Sequence, residues 1–187
     1  MKFLSGLLSF VLVLFFIWYS FFSLMPTSGK TANTPTIEFS TQRAIQPLKE
    51  ISKAPHFHGS KEHARVREFL IDELTALGLE TEVQEGFVLN ESWRGLDRPK
   101  NIIGVWKGRE PGKSLILLSH YDSAKVPSPG ASDAGSGVVT ILESLRAYKA
   151  AGKSPKNDII VLFSDAEEIG LDGATLFVNE HPLAKNA

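Results

Sequence analysis

Three short groups of polar residues in the second half of the chain carry side chains suited to hydrolytic chemistry. They are residues 119–123 (SHYDS), residues 130–137 (GASDAGSG) and residues 165–168 (DAEE). One imidazole and several carboxylates are ligands that suit Zn²⁺ or a similar dication. A carboxylate can bridge two metal ions, and of two adjacent acids one can bind metal while the other accepts a proton from water. The residue types therefore indicate a metal-dependent hydrolase.

The elements around these groups predict an α/β fold. Residues 115–118 (LILL) and 159–163 (IIVLF) are continuously apolar, which is typical of strands buried on both faces. Between them, residues 135–151 carry apolar side chains at helical spacing, and Gly152 ends the predicted helix. This alternation predicts a three-layer α/β/α sandwich around a mixed sheet with a parallel central part.

The predicted sheet brings the three polar groups together. Ligands of open α/β sheets bind beyond the carboxyl ends of the strands. His120 and Asp122 directly follow the first buried strand, and Asp165, Glu167 and Glu168 follow the second. If the two strands are neighbours, these side chains meet at one edge of the sheet, with Asp133 in the turn between them.

The first half of the predicted domain supplies supporting elements. We predict helices over residues 41–53 and 61–77, the second with Ser60 as its N-cap, and strands over 79–89 and 101–107. A last helix begins near Asp172. His56 and His58 could form half of a metal site, but we interpret them as structural, and we expect His63 to be exposed on its helix.

The N-terminus predicts a membrane anchor. Residues 3–25 are uncharged and strongly apolar, and a helix of that length spans about 30 Å, the thickness of a bilayer core. A cleaved signal peptide is the alternative, but no small-residue cleavage site follows the run. We therefore predict an anchor over 1–25, a polar linker over 26–40 and the catalytic part over 41–187. We expect a single-pass anchor at the N-terminus. Lys2 and the terminal amine favour a cytoplasmic N-terminus, which places the catalytic domain outside the cytoplasm.

Composition excludes several other functions. The net charge of −1 gives no field that would attract nucleic acid, so we expect no nucleic-acid partner. The chain contains no cysteine, which excludes disulfides, zinc–thiolate sites and cysteine nucleophiles. Residues 90–92 (NES) fit a glycosylation sequon.

In this order and spacing, the three groups resemble the N-terminal portion of peptidase family M28, a family of zinc aminopeptidases. Residues 55–60, 77–82 and 101–104 support the resemblance, which extends from Thr41 to the end of the chain. It implies two zinc ions per complete active site, a bridging water, and a peptide substrate with a free N-terminus.

The resemblance also implies a role for each residue of the predicted site. By that resemblance His120 binds one zinc, Asp133 bridges both, and Glu168 binds the other. Glu167 is then the general base, and Asp122 orients His120.

The chain departs from the family pattern in two places. Ala134 stands where the family often has a second acidic or amide residue, and the Asp133–Ala134 peptide is expected to be cis, as the family's often is. The family also supplies a later acidic ligand and a distant histidine. Glu180 and His181 follow Glu168 too closely to fill those positions. We therefore expect an incomplete catalytic domain, with little activity from these 187 residues alone.

Two alternatives stay open. Glutaminyl cyclases resemble this chain in fold and in the residues around His120, and they use a single zinc. A non-catalytic, peptidase-like interaction domain would keep the fold without the metal. The zinc content of the complete site distinguishes the three: two ions for the peptidase, one for the cyclase and none for a binding domain.

Overall fold

A mixed β-sheet lies at the centre of the fold. The computed structural model describes residues 2–26, 28–90 and 95–186, so Met1 of the predicted anchor, Thr27 of the predicted linker and Ala187 lie outside it. The strands are β1 (Glu80–Glu85), β2 (Val88–Asn90), β3 (Gly95–Asp97), β4 (Lys100–Trp106), β5 (Leu115–His120) and β6 (Ile159–Ser164). The main sheet has the order β1-β4-β6-β5, in which β5 and β6 are parallel and the other pairs antiparallel. β2 and β3 form a separate antiparallel pair.

Five α-helices accompany the strands in the described part of the chain. They are α1 (Lys2–Leu24), α2 (Thr41–Ile51), α3 (Lys61–Ala76), α4 (Ser136–Ala150) and α5 (Asp172–Glu180). A turn over Ala131–Gly135, in which Asp133 and Ala134 have non-helical backbone angles, precedes α4, and a 3₁₀ turn follows α5. The predicted cap of α3 is confirmed, because the Ser60 side chain accepts the backbone N–H of His63 at 3.1 Å. Such a cap satisfies one of the N–H groups that a helix leaves unpaired at its start.

The helices cover both faces of the sheet and confirm the three-layer α/β/α prediction. On one face, α2, α3 and α4 enclose the larger core, which includes Ile51, Leu70, Leu142 and Phe163. On the other face, Phe177 of α5 packs against apolar residues of β4 and β6. Buried apolar area of this kind is the main favourable term in folding, so it fixes the sheet between its two helical layers.

The strand predicted over residues 79–89 is divided in two. β1 ends at Glu85 and β2 begins at Val88 in the other sheet. A Cβ built on the intervening Gly86 would lie 2.7 Å from a methyl carbon of Leu176 in α5. The chain therefore runs close against the Leu176 side chain of α5 at the point where it leaves the main sheet.

Helix α1 stands apart from the folded domain. Its residues from Leu4 to Leu24 are apolar and exposed, and they are long and apolar enough to cross a membrane. An apolar helix with no protein surface around it needs lipid or a partner to cover it. Its identification as an uncleaved anchor stays a prediction.

Two arginines hold part of the predicted linker against the domain. The Arg43 guanidinium donates to the carbonyl oxygens of Ala32 and Thr34 at 2.8 and 2.7 Å, and Arg146 donates to that of Thr36 at 2.9 Å. Both arginines also pair with Glu143, whose side chain is only 4% exposed. The division into anchor, linker and domain stays a prediction, but the later part of the linker contacts α2 and α4.

Gly173 in the first turn of α5 is expected to tolerate no side chain. A Cβ at this position would lie 2.3 Å from both the Asp165 carbonyl oxygen and the Asn101 Oδ1. We expect Gly173→Ala to destabilise the protein by about 2 kcal/mol or more, because overpacking against backbone cannot relax by rotamer change. Urea unfolding measures the effect. Thr175→Ala on the exposed side of the same helix is the control, and a Gly173→Ala variant as stable as this control would contradict the expected clash.

Candidate active site

Parallel pairing of β5 and β6 brings the predicted groups to one edge of the sheet. His120, the last residue of β5, lies opposite Ser164, the last residue of β6. The chain therefore leaves both strands at the same level. We call the five predicted residues at this position the edge site: His120, Asp122, Asp133, Glu167 and Glu168.

The imidazole of His120 is the centre of the edge site. Its Nε2 lies 3.0 Å from Asp133 Oδ1 and 3.7 Å from Glu167 Oε2. Its Nδ1 lies 3.0 Å from the backbone oxygen of Asp122, with the carboxylate of the same residue at 3.5 Å. The contact through Nδ1 fixes the ring so that Nε2 faces the carboxylates.

The carboxylate of Asp122 has a second set of contacts. It is almost completely buried, and its two oxygens accept the backbone N–H groups of Glu167 and Glu168 at 3.1 and 3.2 Å. Asp122 therefore connects the turn after β5 with the turn after β6. This explains how acids that are 45 residues apart in the chain (Asp122 and Glu167) reach the same site.

The turn that carries Asp133 has an unusual backbone. The Asp133–Ala134 peptide is cis, as the resemblance implies. Ser119 Oγ donates to the Ala134 oxygen at 3.3 Å, and a Cβ on Gly137 would lie 2.7 Å from Ser119 Oγ. Close packing against the end of β5 thus holds the turn so that Asp133, whose side chain is 78% exposed, faces His120.

The edge site concentrates negative charge around one imidazole. Burial by itself would lower the pKa of His120, but the carboxylates of Asp122, Asp133 and Glu167 outweigh it and raise that pKa to about 9. Burial and the negative charge of Asp133 raise the pKa of Glu168 above its ordinary value. This mutual repulsion between carboxylates is what a bound cation relieves.

A second group of side chains was not expected from the sequence. Among the residues that the structure describes, His58, His63 and Asp165 offer three metal-type ligand atoms within 4.8 Å of one another. We call this group the His–Asp–His cluster. His58 Nδ1 and His63 Nε2 each lie 2.9 Å from Asp165 Oδ1.

The expectation that His63 is exposed is wrong, since the residue is 3% exposed. Val66, Leu70 and Leu74 of α3 are also buried, and His63 lies three residues before the first of them. Its ring stacks on Tyr121 with 4.7 Å between ring centroids. The helical spacing of these positions was a signal that the residue belongs to the buried face.

The pKa values within the cluster move in opposite directions. Burial would raise the pKa of Asp165, but the two histidines hold it well below its usual range. The hydrogen bond to Asp165 raises the pKa of His58 above its ordinary value. These shifts describe a buried carboxylate that is stabilised by adjacent imidazoles.

Two further side chains that the sequence singled out, those of His181 and Asn90, make contacts away from the edge site. His181 Nε2 lies 3.0 Å from Glu82 on β1, in agreement with its omission from the predicted ligands. Asn90, the acceptor residue of the possible sequon, donates to the Gly170 oxygen and to Asp172 Oδ1 at 3.1 and 2.6 Å. The two remaining sequon residues lie outside the described part of the chain.

Comparison with known proteins agrees with the resemblance seen in the motifs. Residues 101–187 match the model of peptidase family M28. The vacuolar membrane protease of Yarrowia lipolytica is 33% identical to this chain in an alignment 188 residues long. The alignment covers 88% of this chain and 18% of the relative. The chain therefore spans less than a fifth of the length of that relative.

Solved structures share the fold of the folded domain. Porphyromonas gingivalis glutaminyl cyclase is 26% identical, with a TM-score of 0.63 over 71% of this chain and 47% of that chain. A Zn-dependent exopeptidase from Parabacteroides distasonis is 24% identical, with a TM-score of 0.67 over 79% of this chain and 58% of that chain. At that identity the second likeness supports the α/β sandwich alone.

Proposed function

Because residues 101–187 belong to peptidase family M28, we propose that the edge site takes part in zinc-dependent hydrolysis of peptide bonds and removes residues from the N-terminus of peptides. The observation that carries the proposal is the position of His120 Nε2 beside both Asp133 and Glu167. These residues come from the end of β5 and from two separate turns. A structural salt bridge needs one carboxylate for an imidazole, whereas this imidazole has three around it.

The side chains of the edge site fit zinc. The donors are one imidazole and hard carboxylate oxygens, which is a common ligand set for this ion. Carboxylate repulsion, expressed in the raised pKa of Glu168, favours a bound dication. We propose that His120 and Glu168 hold one zinc ion each and that Asp133 bridges the two. When bound, zinc polarises a carbonyl oxygen and lowers the pKa of water.

The remaining side chains handle protons and orientation. Glu167 is 36% exposed at its side chain and lies beside the proposed ligands, so its carboxylate can accept a proton from water and return it to the leaving amine. Asp122 positions the backbone of Glu167 and Glu168 and keeps the His120 ring in place. The imidazole must lose its extra proton before Nε2 can act as a ligand.

A cavity next to the edge site offers room for the end of a peptide. It has a volume of about 330 Å³ and is bordered by Phe57, Asp97, Asp122 and Glu168. Its three carboxylates, from Asp97, Asp122 and Glu168, outnumber its one lysine, Lys125, so the lining favours the ammonium of a free N-terminus. Together with the membrane location in the relative's name, α1 supports action at a membrane. The extracytoplasmic side is proposed from Lys2 alone.

The test compares three peptides: one with a free N-terminus, the same peptide with an acetylated N-terminus, and a peptide that begins with glutamine. The protein tested carries these residues within a complete catalytic domain and is loaded with zinc. The products are identified by mass spectrometry. We expect stepwise loss of N-terminal residues from the free peptide, no cleavage of the acetylated one, and loss of cleavage when zinc is removed by a chelator. Equal cleavage of the free and acetylated peptides would contradict an aminopeptidase.

Glutaminyl cyclisation is the second candidate, favoured by the likeness to the Porphyromonas gingivalis cyclase. It predicts loss of ammonia from the glutamine peptide with the peptide bonds intact. His120→Ala is expected to abolish either reaction, because both need the imidazole. A protein that binds the peptide without changing it, with or without zinc, would support the non-catalytic interaction domain instead.

A further inference from the structure

The His–Asp–His cluster has the composition of a metal site but is not part of the edge site. His58 belongs to the segment before α3, His63 to the first turn of α3, and Asp165 to the turn after β6. Two imidazole nitrogens and one carboxylate oxygen form a donor set that suits Zn²⁺ and similar transition-metal ions. The sequence separation of about a hundred residues means that the tertiary fold brings these donors together.

The nitrogen of His63 that faces the cluster has no hydrogen bond. Nε2 is buried and lies 2.9 Å from Asp165 Oδ1, yet no hydrogen bond joins the two atoms. A shared proton must lie close to the line between its donor and acceptor. A metal ion does not have to lie on the line between two ligand atoms, so one ion can contact both His63 Nε2 and Asp165 Oδ1. A buried nitrogen whose ion-pair contact lacks hydrogen-bond alignment is only partly satisfied, and a bound ion would satisfy it in full.

The Asp165 carboxylate and the His63 ring are held in fixed orientations. Asp165 Oδ1 accepts the Ala166 N–H at 2.7 Å, and Oδ2 accepts the Lys100 N–H at 2.8 Å. The His63 ring is held by its stack on Tyr121, at an interplanar angle of 7°. Backbone and aromatic contacts of this kind orient metal ligands before the ion arrives.

A cavity gives solvent access to the cluster. Its volume is about 280 Å³, and the walls include all three cluster residues together with Arg67, Arg98 and Lys100. Arg98 and Lys100 are paired with Glu85 at 3.0 and 3.1 Å, which offsets part of their charge. The remaining positive charge weakens a dication site but favours an anion at the open coordination position.

We propose that His58, His63 and Asp165 bind a transition-metal dication such as Zn²⁺, with three protein ligands and one position open to the cavity. The ion would join the start of α3 to the turn that leads into Glu167 and Glu168. It would therefore act as a structural link behind the edge site. The proposal does not depend on the proposed hydrolysis, because none of its ligands belongs to the edge site.

Zinc binding to the full chain in detergent tests the proposal. The background variant His120→Ala/Asp133→Asn removes ligands of the edge site, so that titration calorimetry with zinc alone reports on the cluster. We expect one zinc per chain in this background, and none after Asp165→Asn or His63→Leu is added. His181→Gln is the matched control, because it removes an imidazole elsewhere and should leave the single zinc in place.

A second measurement, on the unaltered chain, tests the proposal even if the variants fail to fold. In the unaltered chain, zinc should shift the ring nitrogen resonances of both His58 and His63 in NMR spectra. Absence of zinc binding in the background variant, binding that survives His63→Leu, or unchanged ring resonances would each overturn the proposal. Peptide hydrolysis by a protein with no metal at the cluster would leave the proposed function intact, so the two can fail separately.

Discussion

Replacing Glu167 with glutamine is expected to lower the kcat/KM for peptide hydrolysis by about 10²–10⁴-fold, the usual contribution of a positioned general base. Glutamine keeps the size of the side chain but cannot accept a proton from water. Zinc content should stay the same, because Glu167 is the acid that we do not assign as a ligand. Kinetics with a free-N-terminus peptide and elemental analysis measure the two quantities, both on a protein in which these residues are part of a complete catalytic domain.

Glu180→Gln is the matched control for this prediction. Glu180 ends α5 and is exposed, so its loss should leave both kcat/KM and zinc content unchanged. A Glu167→Gln variant that keeps activity within tenfold would show that another group takes the proton. A variant that loses zinc together with activity would instead identify Glu167 as a ligand, and Glu168 would then be the candidate base.

Replacing Glu143 with alanine is expected to cost about 3 kcal/mol of stability, at the lower end for a broken buried ion pair. Glu143 accepts the Ser40 N–H at 2.9 Å and pairs with Arg43 and Arg146. Without it the two arginines, which are 21% and 29% exposed, lose their charge partner but reach some water. We also expect faster proteolysis of residues 32–38, since the same arginines hold that segment. Urea unfolding and limited proteolysis measure these effects.

The effect of Glu143 should depend on pH. Burial would raise its pKa, but the hydrogen bonds from Arg146, Ser40 and Arg43 lower it below the ordinary value. A carboxyl with a lowered folded-state pKa contributes stability above its unfolded pKa of about 4.3 and loses it as pH falls through the folded value. The stability difference between the unaltered protein and Glu143→Ala should therefore be constant near neutral pH and shrink in acid.

Glu38→Gln provides the control for a surface pair. Glu38 contacts Lys30 with both side chains largely exposed, and such pairs contribute less than about 1 kcal/mol. A Glu143→Ala variant that is no less stable than Glu38→Gln, or one whose deficit persists unchanged in acid, would contradict the assigned role of the buried carboxylate.

Local patterns in the sequence predicted the helices and the main-sheet strands, and they placed the edge site, but they did not predict the separate β2–β3 pair. The apolar runs that became β5 and β6, and the helical spacing of α3 and α4, express burial and periodicity that depend only on neighbouring residues. The positions of His120 and Glu167 could be predicted from those strands, because parallel strands end at the same edge of a sheet. The family resemblance then assigned a role to each side chain.

Tertiary structure alone decided the contacts between residues distant in the chain. No local pattern indicates that His58 and His63 meet Asp165, that Asp122 binds the backbone of Glu167, or that Glu143 holds the start of α2. The physical reason is that hydrogen bonds and ion pairs depend on distance and direction in space, which the packing of the helices against the sheet sets. Burial follows periodicity along the chain, whereas the partner of a buried charge is fixed only when the layers close.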